Sequence, residues 1–261
     1  MKLIGINGIK HSGKDLSSNI LACIHNRANN PYTIENVIYD VNYLLSKSYV
    51  NDARILKIIL RDYYDTNSLA FGDCLKQIVS ILYDIPIELM YNHLDKDDRY
   101  YDLINRKTYS KRYINDKYPE KYHYLDISNK DNIKSIYSNN TNEINRFIEL
   151  RKLIQCVGTD IMRNNFGENI FIQNIFRKLI KSDDTLNIIT DVRFDNEAKA
   201  IKYLGGIIIH VHNNDNNYNV DDHISEKGIS HYDYNINWSS KDENKIEVLT
   251  KQLIDIYNKL Q

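Results

Sequence analysis

Residues 2–15 constrain this chain more than any other stretch. An apolar run, Leu3-Ile4-Gly5-Ile6, leads directly into Gly8-Ile9-Lys10-His11-Ser12-Gly13-Lys14-Asp15. The order is strand, glycine loop, lysine, helix start, which is the order of a phosphate-binding P-loop. Two glycines let backbone N–H groups close around phosphate oxygens with no Cβ in the way. A helix opening at Gly13 turns unpaired N–H groups and the positive end of its dipole toward the same anion. Lys14 is placed to reach the β- and γ-phosphates. The hydroxyl residue that usually follows this lysine and ligates Mg²⁺ is replaced by Asp15. A carboxylate can serve the same hard cation directly or through water, and its charge beside the phosphates makes Mg²⁺ a required partner.

A 261-residue chain is long enough for one α/β core with a lobe inserted in it. The net charge of −1 gives no bulk case for nucleic-acid binding. Cys23, Cys74 and Cys156 are odd in number and form no C-x-x-C pair, which suits a reduced, intracellular protein. No stretch approaches a membrane span, and Met1 runs straight into a strand, so no signal peptide is expected.

Hydrophobic periodicity predicts a strand at Lys2 to Asn7 and a helix from the loop to about His25. Further helices are expected at Asn36 to Ser46, Asp52 to Tyr63 and Asp73 to Tyr83, with one more turn at Ile87 to Asn92. Residues 100–142 are rich in Tyr, Asn and Lys with weak periodicity and read as an irregular insertion with helical fragments. A long helical zone covers Glu143 to Asn165, with Gly158 a candidate break, and another helix covers Asn169 to Lys181. Strands at Leu186 to Thr190, Ile207 to Val211 and Tyr234 to Trp238 then alternate with helices at Asn196 to Leu204 and Asn244 to Lys259. That alternation argues an α/β fold with a parallel sheet flanked by helices. The expected core is 1–25, 68–83 and 183–261, one domain in which 26–67 and 84–182 are inserted helical regions.

Several residues carry chemistry without declaring it alone. Asp191 closes an apolar strand, where it either holds Mg²⁺ or its waters or caps a helix. Arg193, two residues on, brings a permanently charged planar fork either to a phosphate or to a surface ion pair. Lys76, Arg99 and Arg151 read individually as solvated cations, and Gly158-Thr159 as a helix end and cap. His210 and His212 share a strand face, but no third ligand joins them at metal spacing.

Together these signals resemble the phage-type deoxynucleoside monophosphate kinase family. Four blocks carry the resemblance: Gly8 to Asp15 with its unusual Asp; Phe71 to Lys76; Arg151 to Asp160 running on through Asn164-Asn165-Phe166; and Asp191-Val192-Arg193 with Glu197, followed by Gly205-Gly206 and Asp222 to Glu226. The resemblance implies a P-loop, nucleoside monophosphate kinase-like fold and ATP-dependent phosphorylation of deoxynucleoside monophosphates, with 26–67 and 84–182 as acceptor and lid regions. It implies that Gly8, Lys10, His11, Ser12, Gly13, Lys14, Asp15 and Leu16 belong to the ATP site. It places Lys76, Arg99, Arg151, Gly158, Thr159, Phe171, Asp191, Arg193 and Glu197 on the acceptor side. Lys14, Arg151 and Arg193 would carry the transfer, with Arg99 or Arg163 closing over it, and Asp15 and Asp191 would hold the Mg²⁺. Leu16 stands where the family has a hydroxyl, and Phe171 where it has Trp. Partners are expected to be small-molecule nucleotides, without nucleic acid or membrane and with homodimer formation left open. The compartment is cytoplasmic, the host's if the gene is viral. The other readings are a P-loop kinase of a different small acceptor and a non-catalytic nucleotide-binding protein.

Overall fold

The fold comes from a computed structural model that describes residues 2–28, 32–46, 53–91, 99–102, 106–110, 147–215 and 228–260. The chain divides into two compact units, Met1–Gly72 with Phe171–Gln261, and Asp73–Ile170.

The first unit is built on five strands: β1 (Lys2–Asn7), β2 (Thr66–Leu69), β6 (Leu186–Val192), β7 (Ile207–Asn213) and β8 (Tyr234–Trp238). They pair in the order β2-β6-β1-β7-β8, every pair parallel. The alternation read from the sequence is therefore a fully parallel sheet with crossovers. Strand β1 is central, and its neighbours β6 and β7 come from the far half of the chain. Successive side chains of β1 face opposite ways. Ile4 and Ile6 join a core with Ile20, Leu21 and Ile24 of α1 (Lys14–Arg27) and Leu249 and Leu253 of the carboxyl-terminal helix Lys245–Asn258. On the other face Gly5 leaves room for Ile208 and for Ile201 of the helix Asp195–Tyr203.

Helices α2 (Ile34–Leu45) and α3 (Ala53–Tyr64) lie within the stretch 26–67 that was expected to be an inserted region. Val37, Val41, Leu44 and Leu60 lie in the same core as α1. Their apolar stripes need a covered surface, and α1 supplies it. Thr33 opens α2 with a capping box: its hydroxyl accepts from the Asn36 N–H.

The second unit holds most of α4 (Phe71–Tyr83), the short α5 (Ile87–Tyr91), and three strands: β3 (Arg99–Asp102), β4 (Lys107–Ser110) and β5 (Phe147–Glu149). These strands form an antiparallel sheet in the order β4-β3-β5. That corrects the reading of residues 100–102 and 107–110 as irregular; residues 103–105 and 111–142, read the same way, lie outside the described residues. Helix α6 (Leu150–Cys156) continues without a break through a π-helical stretch, Val157–Arg163, into a last turn at Asn164–Phe166. Gly158 thus does not end a helix and Thr159 caps none. Gly158 is buried, and a Cβ there would lie 2.6 Å from Leu75 Cδ2 of α4. The extra residue of a π turn widens the helix where Leu75 enters.

From here α7 is Ile170–Ile180, α8 is Asp195–Tyr203 and α9 is Lys245–Asn258. Among the described residues no helix is long and apolar enough to cross a membrane.

Candidate active site

The loop between β1 and α1 takes the shape that its glycines permit. Gly13 sits at φ 99°, just before the first turn of α1, and His11 also has a positive φ of 59°. Gly8, at φ 150°, has no room for a side chain: a Cβ would meet both Ser12 Oγ and the Val211 carbonyl at 2.4 Å. The Lys14 ammonium turns back over the loop and donates to the carbonyls of Gly8 at 2.8 Å and Ile9 at 2.7 Å. One strong positive charge is thereby held against the concave backbone. Ser12 is buried, and its Oγ has no hydrogen-bond partner among the described residues. Asp15 is exposed on the first turn of α1. Leu16 is half-buried and packs on the core, so its side chain is spent on packing. Lys10 and His11 are on the loop itself, His11 exposed.

Around this loop the carboxyl ends of the neighbouring strands are tied together. The Asn7 side chain donates to the Val192 carbonyl of β6 at 2.7 Å. Its Oδ1 therefore faces His210 Nδ1 of β7, 2.6 Å away, so that nitrogen carries the proton. His210 stacks on Tyr232, and burial, followed by the nearby His212 and Lys14, pushes its pKa below the usual imidazole value. His210 is engaged with Asn7, and no group of three metal-ligating side chains occurs among the described residues.

At the end of β6 two carboxylates grip backbone. Asp191 accepts from the N–H groups of Phe71 at 2.7 Å and Gly72 at 2.8 Å, the opening of α4. It is thus a helix cap, though not for the helix that follows it in sequence. Glu197 is 1% exposed, and its Oε2 accepts from the N–H groups of Arg193 at 2.8 Å and Phe194 at 3.1 Å. This fixes the turn that carries Arg193. Both acids had a nucleotide or metal role by resemblance; the contacts seen here are to main chain, and lone pairs remain on each carboxylate for other partners. Phe171 is buried on α7.

The remaining predicted residues belong to the second unit. Lys76 lies 3.6 Å from Asp73 and over the Tyr91 ring at 4.3 Å. Arg99 opens β3, and Arg151 lies half-buried in the first turn of α6. Gly158 and Thr159 lie in the π stretch, and Arg163 closes its end by donating to the Glu168 carbonyl at 2.9 Å. The segment Asp222 to Glu226 lies outside the described residues.

Sequence reasoning missed three residues at the loop. Besides Asn7, these are Trp238, whose indole N–H donates to the Ser12 carbonyl at 2.6 Å, and Asn213, which reaches the His11 carbonyl at 3.4 Å. The one available signal was position: each sits in the last residues of a strand whose carboxyl end faces the loop.

Comparison with known proteins bears on this arrangement. A sequence model of the family described as deoxynucleotide monophosphate kinase matches residues 2–253. The deoxynucleotide monophosphate kinase of Enterobacteria phage T4 is 26% identical over 240 residues, covering 88% of each chain. That of Escherichia phage RB69 is 25% identical over 233 residues, covering 88% of this chain and 89% of its own. The deoxynucleoside-5'-monophosphate kinase of Escherichia phage T5 is 32% identical over 89 residues, or 32% of this chain and 36% of its own.

Proposed function

Because this chain belongs to the deoxynucleotide monophosphate kinase family, we propose that it transfers the terminal phosphoryl group of ATP to a deoxynucleoside monophosphate. The product is the diphosphate needed for DNA precursor synthesis. The observation that carries the reading is the loop after β1, with Lys14 held over its concave backbone in a chain that matches the family from residue 2 to residue 253.

The loop suits a polyphosphate on its own geometry. Gly8 and Gly13 have no space for a Cβ, and the buried Ser12 hydroxyl has no hydrogen-bond partner among the described residues. In phosphoryl transfer the protein has little covalent work to do, so positioning and charge neutralisation dominate. The loop amides, Lys14 and the amino end of α1 bind the donor phosphates. Asp15, with Asp191 as a second candidate, would hold Mg²⁺, which supplies charge neutralisation at the β- and γ-phosphates. The acceptor phosphate is already anionic and attacks without a general base. Its oxygen bonds to the γ-phosphorus as the bond to the ADP oxygen breaks. Arg193 and Arg151, with Lys76, orient that acceptor, and Arg99, Gly158, Thr159, Phe171 and Glu197 complete its side of the site. The phage origin of the relatives favours action in a host cytoplasm.

A coupled ADP-release assay against deoxynucleoside monophosphates, ribonucleoside monophosphates and no acceptor tests the proposal. Release that depends on a deoxynucleoside monophosphate is expected. Release with none of the nucleotides overturns it and leaves a kinase of another small acceptor or a binding protein.

A further inference from the structure

The strand ends hold contacts to the phosphate loop that the reading above does not use, and the shortest comes from Trp238. Trp238 is the only tryptophan of the chain. It closes β8, is buried, and donates its indole N–H to the Ser12 carbonyl at 2.6 Å. Its ring also lies under the next residue: a Cβ on Gly13 would meet Trp238 Cζ2 at 2.7 Å. The indole therefore touches the Ser12–Gly13 peptide by a directed hydrogen bond and by packing.

The consequence follows from the planarity of the peptide. In a trans peptide the C=O of one residue and the N–H of the next point in opposite directions. An anion is attracted by N–H dipoles and repelled by C=O dipoles, so a peptide that offers its N–H to a phosphate must turn its carbonyl away from it. An outward carbonyl in a buried place needs a donor. Here the indole is that donor, and pinning the Ser12 carbonyl toward Trp238 turns the Gly13 N–H the other way. Asn213, at the end of β7, reaches the His11 carbonyl of the same loop at 3.4 Å. Gly13 has no side chain and the Ser12 hydroxyl bonds to nothing among the described residues, so neither imposes this orientation from within, and Gly13 sits at φ 99°, a conformation that favours glycine.

We propose that Trp238 is a positioning residue for the donor phosphates: by holding the Ser12 carbonyl it presets the Gly13 N–H toward the anion. The proposal rests on the reading of this loop as the ATP site. Without the indole N–H the peptide is free to turn, and binding must restore its orientation each time.

The single tryptophan makes the test clean, because replacing tryptophan throughout the chain alters one position. Benzothienylalanine keeps the shape of the ring and puts sulfur where the N–H was. The protein carrying it is expected to show a KM for ATP raised about five- to tenfold, the scale of one lost hydrogen bond. Its KM for the deoxynucleoside monophosphate and its kcat at saturating ATP are expected to stay within twofold. Trp238→Phe should move in the same direction. An ATP KM within twofold of the parent, whatever the loss of melting temperature, overturns the proposal, as does a rise in both KM values together. Intrinsic fluorescence gives a readout independent of turnover. Emission of the native protein should change saturably with ATP and stay unchanged with the acceptor alone, and unchanged emission at saturating ATP counts against the assignment. If ATP moves the emission but no acceptor supports ADP release, the kinase reading fails and the tryptophan contact stands.

Discussion

Lys14 shows how much one side chain can be asked to do. Its ammonium is held by two carbonyls of its own loop, and in the proposed reaction it would stand where negative charge gathers during transfer. Lys14→Ala is expected to lower kcat by about two orders of magnitude or more, measured by steady-state turnover. Asp15, exposed on the next helical position, has a narrower task. Asp15→Asn should raise the Mg²⁺ concentration for half-maximal rate, and an unchanged Mg²⁺ titration would reduce the carboxylate to a helix-end charge. In the proposed division of the site, Arg193 and Arg151 serve the acceptor. Removing either fork takes away a charge-assisted hydrogen bond worth about 1.5–3 kcal/mol. The KM for the deoxynucleoside monophosphate should then rise about tenfold or more, with kcat falling as in-line geometry loosens. The KM for ATP should move little. The opposite pattern, in two-substrate kinetics, would assign these arginines to the donor.

Elements in this protein are held at their ends by residues from elsewhere. Helix α4 begins at Phe71 and Gly72, and the carboxylate that takes their N–H groups is Asp191, 120 and 119 residues away. Helix α8 is closed more locally, by Glu197 bonding back to the N–H groups of Arg193 and Phe194. The π stretch of 157–163 is met instead by a side chain of another helix. A methyl on Gly158 would press on Leu75 Cδ2. Gly158→Ala is expected to destabilise the protein by about 1 kcal/mol through overpacking. Adding Leu75→Ala should make the second substitution cost less in that background than alone, because the cavity and the methyl fill each other. Denaturant titration of the four proteins of the cycle measures the coupling, and strictly additive losses would refute the packing explanation.

At the scale of the whole molecule, the amino ends of the strands are bound by a directed chain of hydrogen bonds. Asp65 can only accept, so the Thr185 hydroxyl donates to it, at 2.5 Å. Thr185 must then accept from His25 Nε2, 2.6 Å away, which leaves Nδ1 to accept from the Tyr257 hydroxyl at 2.5 Å. Tyr257 in turn accepts from the Lys2 ammonium at 3.1 Å. The chain ties β1, α1, the residues next to β2 and β6, and the carboxyl-terminal helix α9 through a neutral imidazole. Burial, with Lys2 as a smaller contributor, keeps the His25 pKa below its usual value even though Asp65 pulls the other way. Burial also lifts the Tyr257 hydroxyl to about 12, so it stays protonated as the donor. A histidine whose folded pKa is depressed supports the fold fully above its unfolded value of about 6.5. That support is lost as pH falls below this value toward the folded pKa. Protonation would give Nδ1 a hydrogen that faces the Tyr257 oxygen, already an acceptor from Lys2. The melting temperature should therefore drop on acidification from pH 7.5 to 5.5. The part of the drop due to His25 should vanish in His25→Gln, and parallel melting curves for the two proteins would exclude His25 as its source.

What the sequence determined alone was local in origin. A strand, two glycines, a lysine and a helix start lie within residues 2–15, and the backbone conformations they need are set by those residue types. Most helices from α2 to α9 were legible, within a few residues, because apolar side chains recur at helical spacing and any covered face satisfies them; the helical zone read from Glu143 is the exception, since Phe147–Glu149 pairs as strand β5 and the helix begins at Leu150. Tertiary structure decided the rest. Sheet order came from parallel pairing, and three of its four pairs, β2–β6, β6–β1 and β1–β7, join strands separated by more than a hundred residues. The β3–β4 pair was unreadable because its third partner, β5, enters from residue 147. Asp191, Glu197 and Trp238 look alike in sequence whether they face a nucleotide, a metal or a peptide. A carboxylate accepts whichever N–H reaches it and an indole donates to whichever carbonyl does, and only the packed sheet brings Ser12 to Trp238 across 226 positions.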